Sequence, residues 1–282
     1  MALVIGCIDG SLASRAVCDA SLWAAGQLGL PLTFLHVLDR RQYPGEGDLS
    51  GSLGLDSREH LLEELASLDE RRSRLALDHG RHALDAARAI AQAQGVQTVA
   101  LQRHGSLVDS LREREADLEL VVLGRHGTQS DTLGQHLGSQ LENVARAVQR
   151  PVLIVPVDFT RPRHALVAFD GSDAVRAGVH WLIRHQLFKG MALHLVRVGE
   201  PDDAAHGALA QTAARLVEAG YPVQVAVCPG PVDETLLAYQ DEHELDLLAM
   251  GAFGHSRIRH LFMGSTTRSL IRKTGTSLLL MR

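Results

Sequence analysis

The sequence predicts an α/β protein of two repeated, doubly wound domains, each a five-stranded parallel sheet flanked by helices. The chain repeats itself, because an offset of 161 residues brings Asp9 to Ser11 onto Asp170 to Ser172 without a gap. In both copies short aliphatic runs alternate with helical patterns, which is typical of parallel strands covered by helices on both faces. The 282 residues also exceed a single typical core and suit two.

The strands are predicted from aliphatic runs whose lengths fit buried strands. In the first copy they are residues 3–8, 32–38, 97–102, 118–123 and 152–155; in the second they are residues 165–169, 192–198, 223–227, 245–250 and 277–281. We place domain 1 at residues 1–159 and domain 2 at residues 160–282.

Domain 1 carries an insertion, because the offset between the copies falls from 161 residues at their starts to 127 near their ends. The extra residues lie at about 40–95, where a Gly-rich stretch precedes a long charged helical pattern. Gly80 interrupts that pattern and is a candidate break. The pattern leaves open whether the insertion holds one helix or two.

The composition excludes several classes of protein. Hydrophobic residues make up 45% and charged residues 22%, which is ordinary for globular domains and unlike a disordered chain. The formal charge of -5 argues against nucleic acid as a partner. Three scattered cysteines and 15 histidines without a recognised ligand spacing predict no metal site. The N-terminal apolar run is too short for a signal or a membrane span, so we expect a cytoplasmic protein without a membrane partner.

A set of glycines in domain 2 indicates a phosphate site. Gly251 and Gly254 follow the fourth predicted strand, and after nine further residues Gly264 and Ser265 open the last helix. Glycines let the backbone approach a ligand closely, and the unpaired amides at a helix start favour phosphate. Ligands of open parallel sheets bind beyond the carboxyl ends of the strands, which is also where Asp170 lies.

This spacing, Gly-x2-Gly-x9-Gly-Ser, together with Asp170 to Ser172, resembles the ATP-binding motif of the universal stress protein family, and the duplication resembles its tandem members. The resemblance covers both halves. It implies an adenine nucleotide alpha hydrolase-like fold with strand order 3-2-1-4-5 in each domain. It also implies that the ligand is ATP or a related adenine nucleotide, with or without magnesium.

The resemblance also implies roles for individual residues of domain 2. In the family, the acidic residue after the first strand and the residue that closes the second strand meet the adenine. The glycines and the hydroxyl that follows them approach the ribose and phosphates. The nucleotide-binding residues are then Asp170, Val198, Gly251, Gly254, Gly264 and Ser265, to which we add Thr266 and the loop residues His255 and Arg257.

Domain 1 keeps these residue types but departs from the spacing, because ten residues separate its inner glycines. Its loop also carries few basic residues, whereas the domain 2 loop carries His255, Arg257, Arg259 and His260. We therefore expect the principal site in domain 2. A weaker second site in domain 1 would comprise Asp9, Val37, Gly124, Gly127, Gly138 and Ser139.

Simpler structural roles compete with these assignments. Asp9 and Asp170 could cap the helices that follow them, and Ser139 and Ser265 could do the same. The sequence shows no Walker motif, nucleophile elbow or acid and base pair, so it predicts ligand binding rather than catalysis. Together with the resemblance, this implies an ATP-binding stress-response protein that acts as a sensor or regulator. A protein-interaction scaffold that binds no nucleotide and a slow ATPase are the alternatives.

The last strand of each copy is aliphatic and would leave an exposed sheet edge. In the resembling family, domains associate through this strand. We therefore expect the two halves to pair there as an intramolecular pseudo-dimer. A homodimer of whole chains and an unidentified protein partner are left open.

Overall fold

The computed structural model describes residues 2–38, 55–125, 139–200, 203–252 and 264–282. Domain 1 contributes strands β1 Leu3–Cys7, β2 Leu32–Leu38, β3 Thr98–His104, β4 Leu118–Gly124 and β5 Val152–Val155. Domain 2 contributes β6 His164–Ala168, β7 Ala192–Val198, β8 Val223–Cys228, β9 Leu247–Gly251 and β10 Ser277–Met281. All ten predicted strands are present, and their ends lie within two residues of the expected positions.

Helices follow the strands and cover both faces of the sheet. Those of domain 1 are α1 Ser14–Leu28, α2 Leu55–Ala93, α3 Leu107–Arg112 and α4 Ser139–Ala147. Those of domain 2 are α5 Asp173–His185, α6 Asp203–Glu218, α7 Val232–Glu242 and α8 Ser265–Lys273. Successive strand residues face opposite layers, so Val4 and Ile5 belong to two different apolar clusters, one on each face of the sheet.

The ten strands form one sheet in the order β3-β2-β1-β4-β5-β10-β9-β6-β7-β8. The predicted order 3-2-1-4-5 is therefore confirmed in both domains, within which all pairings are parallel. The expected pairing of the two last strands is also present, because β5 and β10 are antiparallel neighbours. Leu153 pairs with Leu279, its equivalent in the second copy, so the pseudo-twofold axis passes through this pair.

The described part of the insertion forms one continuous helix, α2, of 39 residues, whereas its counterpart α6 has 16. The candidate break at Gly80 is wrong, and the glycine has a packing role instead. A Cβ at this position would lie 2.4 Å from Cε1 of His36 and 2.5 Å from Nε2 of Gln102. Glycine therefore lets α2 pack closely on β2 and β3.

Across the described ranges, no helix combines the length and apolar character needed to cross a membrane.

Candidate functional site

The carboxyl ends of β6, β7 and β9 meet at one edge of domain 2. The parallel register pairs Ala168 of β6 with Val196 of β7 and with Met250 of β9. The residues that follow β6, close β7 and close β9 therefore lie side by side, and these are Asp170, Val198 and Gly251. The N-terminus of α8 completes the same edge with Gly264 and Ser265.

These elements enclose a cavity of about 330 Å³. Its described lining is Ala168, Phe169, Asp170, Val196, Val198, Val232, Leu236, Met250, Gly251 and Gly264 to Thr267. One part of the cavity is apolar, because Phe169, Leu236 and Met250 are buried side chains of the core. The other part presents the start of a helix and the hydroxyls of its first turn. This combination of an apolar wall with a few convergent polar groups is usual for small-molecule sites.

The turn between β6 and α5 holds the Asp170 carboxylate. Oδ1 of Asp170 accepts a hydrogen bond from the backbone N–H of Ser172 at 2.9 Å, which closes a tight local turn. Gly171 adopts a φ of 71°, which glycine reaches without steric cost. The capping role considered for Asp170 is wrong, because Ser172 is the N-cap of α5 and accepts from the N–H of Val175.

The start of α8 lines the cavity, and its first backbone amides have no hydrogen-bond partner among the described residues. Gly264 is its N-cap, and the first helical hydrogen bond runs from the N–H of Arg268 to the Gly264 carbonyl at 3.0 Å. The capping role considered for Ser265 is therefore wrong, since Ser265 is the first helical residue. The first turn holds no acidic residue, and the helix dipole adds positive potential at this end.

Gly251 and Gly264 flank the cavity, and they differ in how much space surrounds them. A Cβ on Gly251 would lie 3.0 Å from the backbone N of Val175 and 3.3 Å from the Cβ of Ala174, so packing against α5 favours glycine there. A Cβ on Gly264 would have Oγ1 of Thr267 as its nearest described neighbour, at 3.8 Å. Among the described residues there is therefore room for a side chain at Gly264.

Helices α7 and α8 are joined beside the cavity through Asp233. Its carboxylate accepts hydrogen bonds from Ser269 Oγ and from Lys273 Nζ, the latter at 3.0 Å. The bond from Ser269, followed by that from Lys273, lowers the pKa of Asp233 to about 2. This carboxylate therefore stays ionised at neutral pH and fixes α7, which carries Val232 and Leu236, against α8.

Opposite charges meet between α4 and α8 at equivalent positions of the two copies. Glu142 lies in the first turn of α4, and Arg268 occupies the matching place in α8. Oε1 of Glu142 is 3.5 Å from Nε of Arg268, so the pair crosses the domain interface. Because the two side chains are paired, their opposite charges largely offset each other at the two helix starts.

A family model described as Universal stress protein family matches residues 3–156 and, a second time, residues 162–282. The chain belongs to the universal stress protein family. A curated relative, universal stress protein Slr1230 of Synechocystis sp., is 33% identical over 284 residues, and the match covers 99% of each chain.

Solved structures that match almost the whole chain share the fold of this universal stress protein. A universal stress protein from Archaeoglobus fulgidus has a TM-score of 0.68 at 20% identity, over 99% of this chain and 97% of that chain. A functionally unknown protein from Pseudomonas aeruginosa, PA1789, has a TM-score of 0.60 at 15% identity, over 99% and 91% of the two chains.

The structure brings together six of the nine residues predicted for domain 2 of this universal stress protein: Asp170, Val198, Gly251, Gly264, Ser265 and Thr266. Gly254, His255 and Arg257 lie outside the described residues, as do Gly127 and Gly138 of domain 1. In domain 1, Asp9 follows β1, Val37 is the penultimate residue of β2, Gly124 closes β4 and Ser139 begins α4.

The turn after β1 differs in its surroundings from the turn after β6. Oδ1 of Asp9 accepts from the N–H of Ser11 at 3.0 Å and from Oγ of Ser14 at 3.2 Å, while Ala13 is the N-cap of α1. The capping role is thus wrong for Asp9 as well. His79 of α2 lies over this turn, because a Cβ on Gly10 would be 2.1 Å from its Cε1.

The apolar wall of the cavity was not predicted. Phe169, Val196, Leu236 and Met250 line it beside the predicted residues. A usable signal was present for Val196, because side chains two apart on a strand share a face and Val198 had already been assigned to the site. The contribution of α7 depends on how that helix packs, which no local pattern specifies.

Proposed function

We propose that this universal stress protein binds ATP or a related adenine nucleotide in the domain 2 cavity and acts as a sensor or regulator. The observation that carries the proposal is the meeting of Asp170, Val198, Gly251 and the start of α8 around one cavity of about 330 Å³. The apolar wall suits a planar base, and the amides at the start of α8 suit phosphate oxygens.

One contact supports domain 2 as the principal site. In domain 1, His79 lies over the Gly10 turn, whereas no described atom lies within 4 Å of the Cβ position of the equivalent Gly171. The turn after β6 is therefore more open to a ligand than the turn after β1.

The described lining suits the binding of a small ligand. It offers an apolar wall, the start of a helix and the carboxylate of Asp170, which is the one charged side chain among the lining residues that the structure describes. We therefore assign ligand binding, with a shift in packing or partner affinity as its output.

Isothermal titration of the full chain with ATP, AMP and cyclic AMP tests the proposal. Asp170→Ala should weaken binding at least about tenfold, which corresponds to 1.4 kcal/mol. Asp9→Ala is the matched control, because it removes the same kind of turn in domain 1 and should leave the affinity unchanged. Absence of heat and of any thermal shift at millimolar ATP would favour the scaffold alternative. ATP turnover that disappears in Asp170→Ala would instead assign a slow ATPase.

A further inference from the structure

Three aromatic side chains, His194 of β7 with Tyr239 and His243 of α7, form a histidine cluster in domain 2. Nδ1 of His194 and the hydroxyl of Tyr239 lie 3.0 Å apart and share a hydrogen bond. His243 is the residue at which α7 ends, and its ring centroid lies 4.2 Å from that of Tyr239 and 5.1 Å from that of His194. The cluster therefore joins the C-terminal end of α7 to β7.

The histidine cluster and the cavity of domain 2 are built on the same two elements. Side chains two apart on a strand share a face, so His194 lies on the same side of the sheet as Val196 and Val198, which line the cavity. On α7, Leu236 lines the cavity, and Tyr239 follows it by three residues on the same side of the helix. A displacement of α7 at the cluster would therefore move the wall of the cavity.

Helix α7 is held at its two ends by contacts of different kinds. At its start, Asp233 joins it to α8 through Ser269 and Lys273, and the pKa of this carboxyl is lowered to about 2. At its end, the histidine cluster joins it to β7. Histidine is the side chain that titrates between about pH 5 and 8. Mild acidification therefore leaves the charge of the first contact unchanged and alters that of the second.

A proton on His194 is opposed by its surroundings. Burial, followed by the charges of His243 and His164, lowers the pKa of His194 below its usual value of 6.5. Protonated histidines carry the same sign of charge, so each further proton in this region repels the first. His194 is therefore neutral at neutral pH and becomes charged only on acidification.

The groups that act on the charge of His194 in the described part of the chain include no carboxylate. On β8 the residue beside it is Gln224, which is uncharged. A carboxylate oxygen of Asp246 lies 3.6 Å from Nδ1 of His164 and serves that histidine instead. Protonation of His194 therefore adds a charge that its described neighbours do not balance. The other titratable groups at the cluster act on Tyr239, and they are Cys228 and Glu242.

We propose that protonation of His194 displaces α7 and weakens nucleotide binding, so that mild acidification releases the ligand of domain 2. This regulation rests on the proposed function and deepens it. By linkage, a proton that weakens nucleotide binding must itself bind less tightly when nucleotide is present. Bound nucleotide should therefore lower the pKa of His194 further.

Isothermal titration of the full chain with ATP at about pH 7.5 and about pH 5 tests this regulation. On acidification, the wild-type chain should lose about tenfold more affinity than His194→Gln, because glutamine keeps a polar group beside Tyr239 and does not titrate. The phosphates of ATP also titrate near pH 6, and this contribution is common to both chains. Equal losses in the two chains would overturn the proposal.

A matched control is His180→Gln. This histidine is exposed on α5, whose buried residues pack on the other face of the sheet. The variant should therefore keep the pH dependence of the wild-type chain. A pH dependence that disappears in His180→Gln as well would overturn the assignment to His194.

Nuclear magnetic resonance on the wild-type chain separates movement of α7 from binding, and it does not depend on the folding of a variant. In the free protein, the methyl resonances of Leu236 should follow the titration of His194, and ATP should lower the pKa of His194. Leu236 resonances that do not follow His194 would overturn the proposal. ATP binding of equal strength at both pH values would refute only this regulation. Absence of ATP binding at either pH would refute the proposed function together with it.

Discussion

Replacing Gly264 with aspartate should stabilise the free protein and abolish nucleotide binding. Gly264 has φ -56° and ψ 147°, which any residue adopts, and a Cβ there finds its nearest described neighbour at 3.8 Å. Aspartate is among the best N-caps and interacts favourably with the helix dipole. A gain of roughly 0.5–1 kcal/mol is expected, or about 1–4 °C in melting temperature for a chain of this size.

The same carboxylate would lie where we place the phosphates. Two like charges about 4 Å apart repel by about 4 kcal/mol at an effective dielectric constant near 20. That energy corresponds to roughly a thousandfold loss of affinity. Nucleotide at a hundred times its dissociation constant stabilises a protein by about 2.7 kcal/mol, and this stabilisation should vanish in Gly264→Asp.

Thermal melts with and without ATP measure both effects. Gly264→Asn is the control, because it supplies a similar cap without charge and should keep more of the ATP-induced shift. An ATP shift of wild-type size in Gly264→Asp would refute phosphate binding at the start of α8. A lower melting temperature of the free variant would refute the claim that the fold tolerates a side chain there.

Three further predictions concern stability. Gly80→Ala should lower the free energy of unfolding by about 1–3 kcal/mol, because the added methyl group overpacks against His36. Gly207→Ala, at an open helical position, should raise it by about 0.5–1 kcal/mol. Urea unfolding measures both variants, and equal effects would contradict the packing role of Gly80. Burial lowers the pKa of His36 below 6.5, so on acidification the unfolded chain takes up this proton before the folded chain does. The free energy of unfolding should therefore fall as the pH drops below about 6.5. His36→Leu should flatten this pH dependence, and an unchanged slope would exclude His36 as its source. Trp181 Nε1 donates a hydrogen bond to Oε1 of Glu119 across the domain interface at 2.6 Å. Trp181→Phe should therefore lower the free energy of unfolding, measured with denaturant, by about 1–3 kcal/mol. Glu119→Gln should lower it less, because glutamine keeps an acceptor for this bond.

The sequence predicted the strands well because parallel strands buried on both faces are continuous aliphatic runs. It failed at Gly80, where a glycine inside a helical pattern suggested a break. The glycine is instead required by a close approach to His36, a contact between residues far apart in the chain. Helix propensity describes how much glycine destabilises an isolated helix, whereas tertiary packing decides whether the helix continues through it.

The candidate site was likewise predicted from the sequence only in part. Asp170, Val198 and Gly264 could be placed from strand ends and spacing, since the carboxyl ends of parallel strands share an edge. The sequence did not predict which residue caps helix α5, because Asp170 and Ser172 are both good N-cap residues. Only the geometry of the turn selects Ser172. The wall contributed by α7, including Leu236, follows from helix packing and left no local signal.

The ion pair between Glu142 and Arg268 has a consequence for how this chain could arise from single domains. In a symmetric dimer of one domain, each of these positions would face its own copy, glutamate against glutamate or arginine against arginine. Fusion into one polypeptide lets the two halves diverge, so that repulsion at the axis becomes attraction. Each half is thereby suited to the other rather than to itself, and separately expressed halves should prefer the mixed complex.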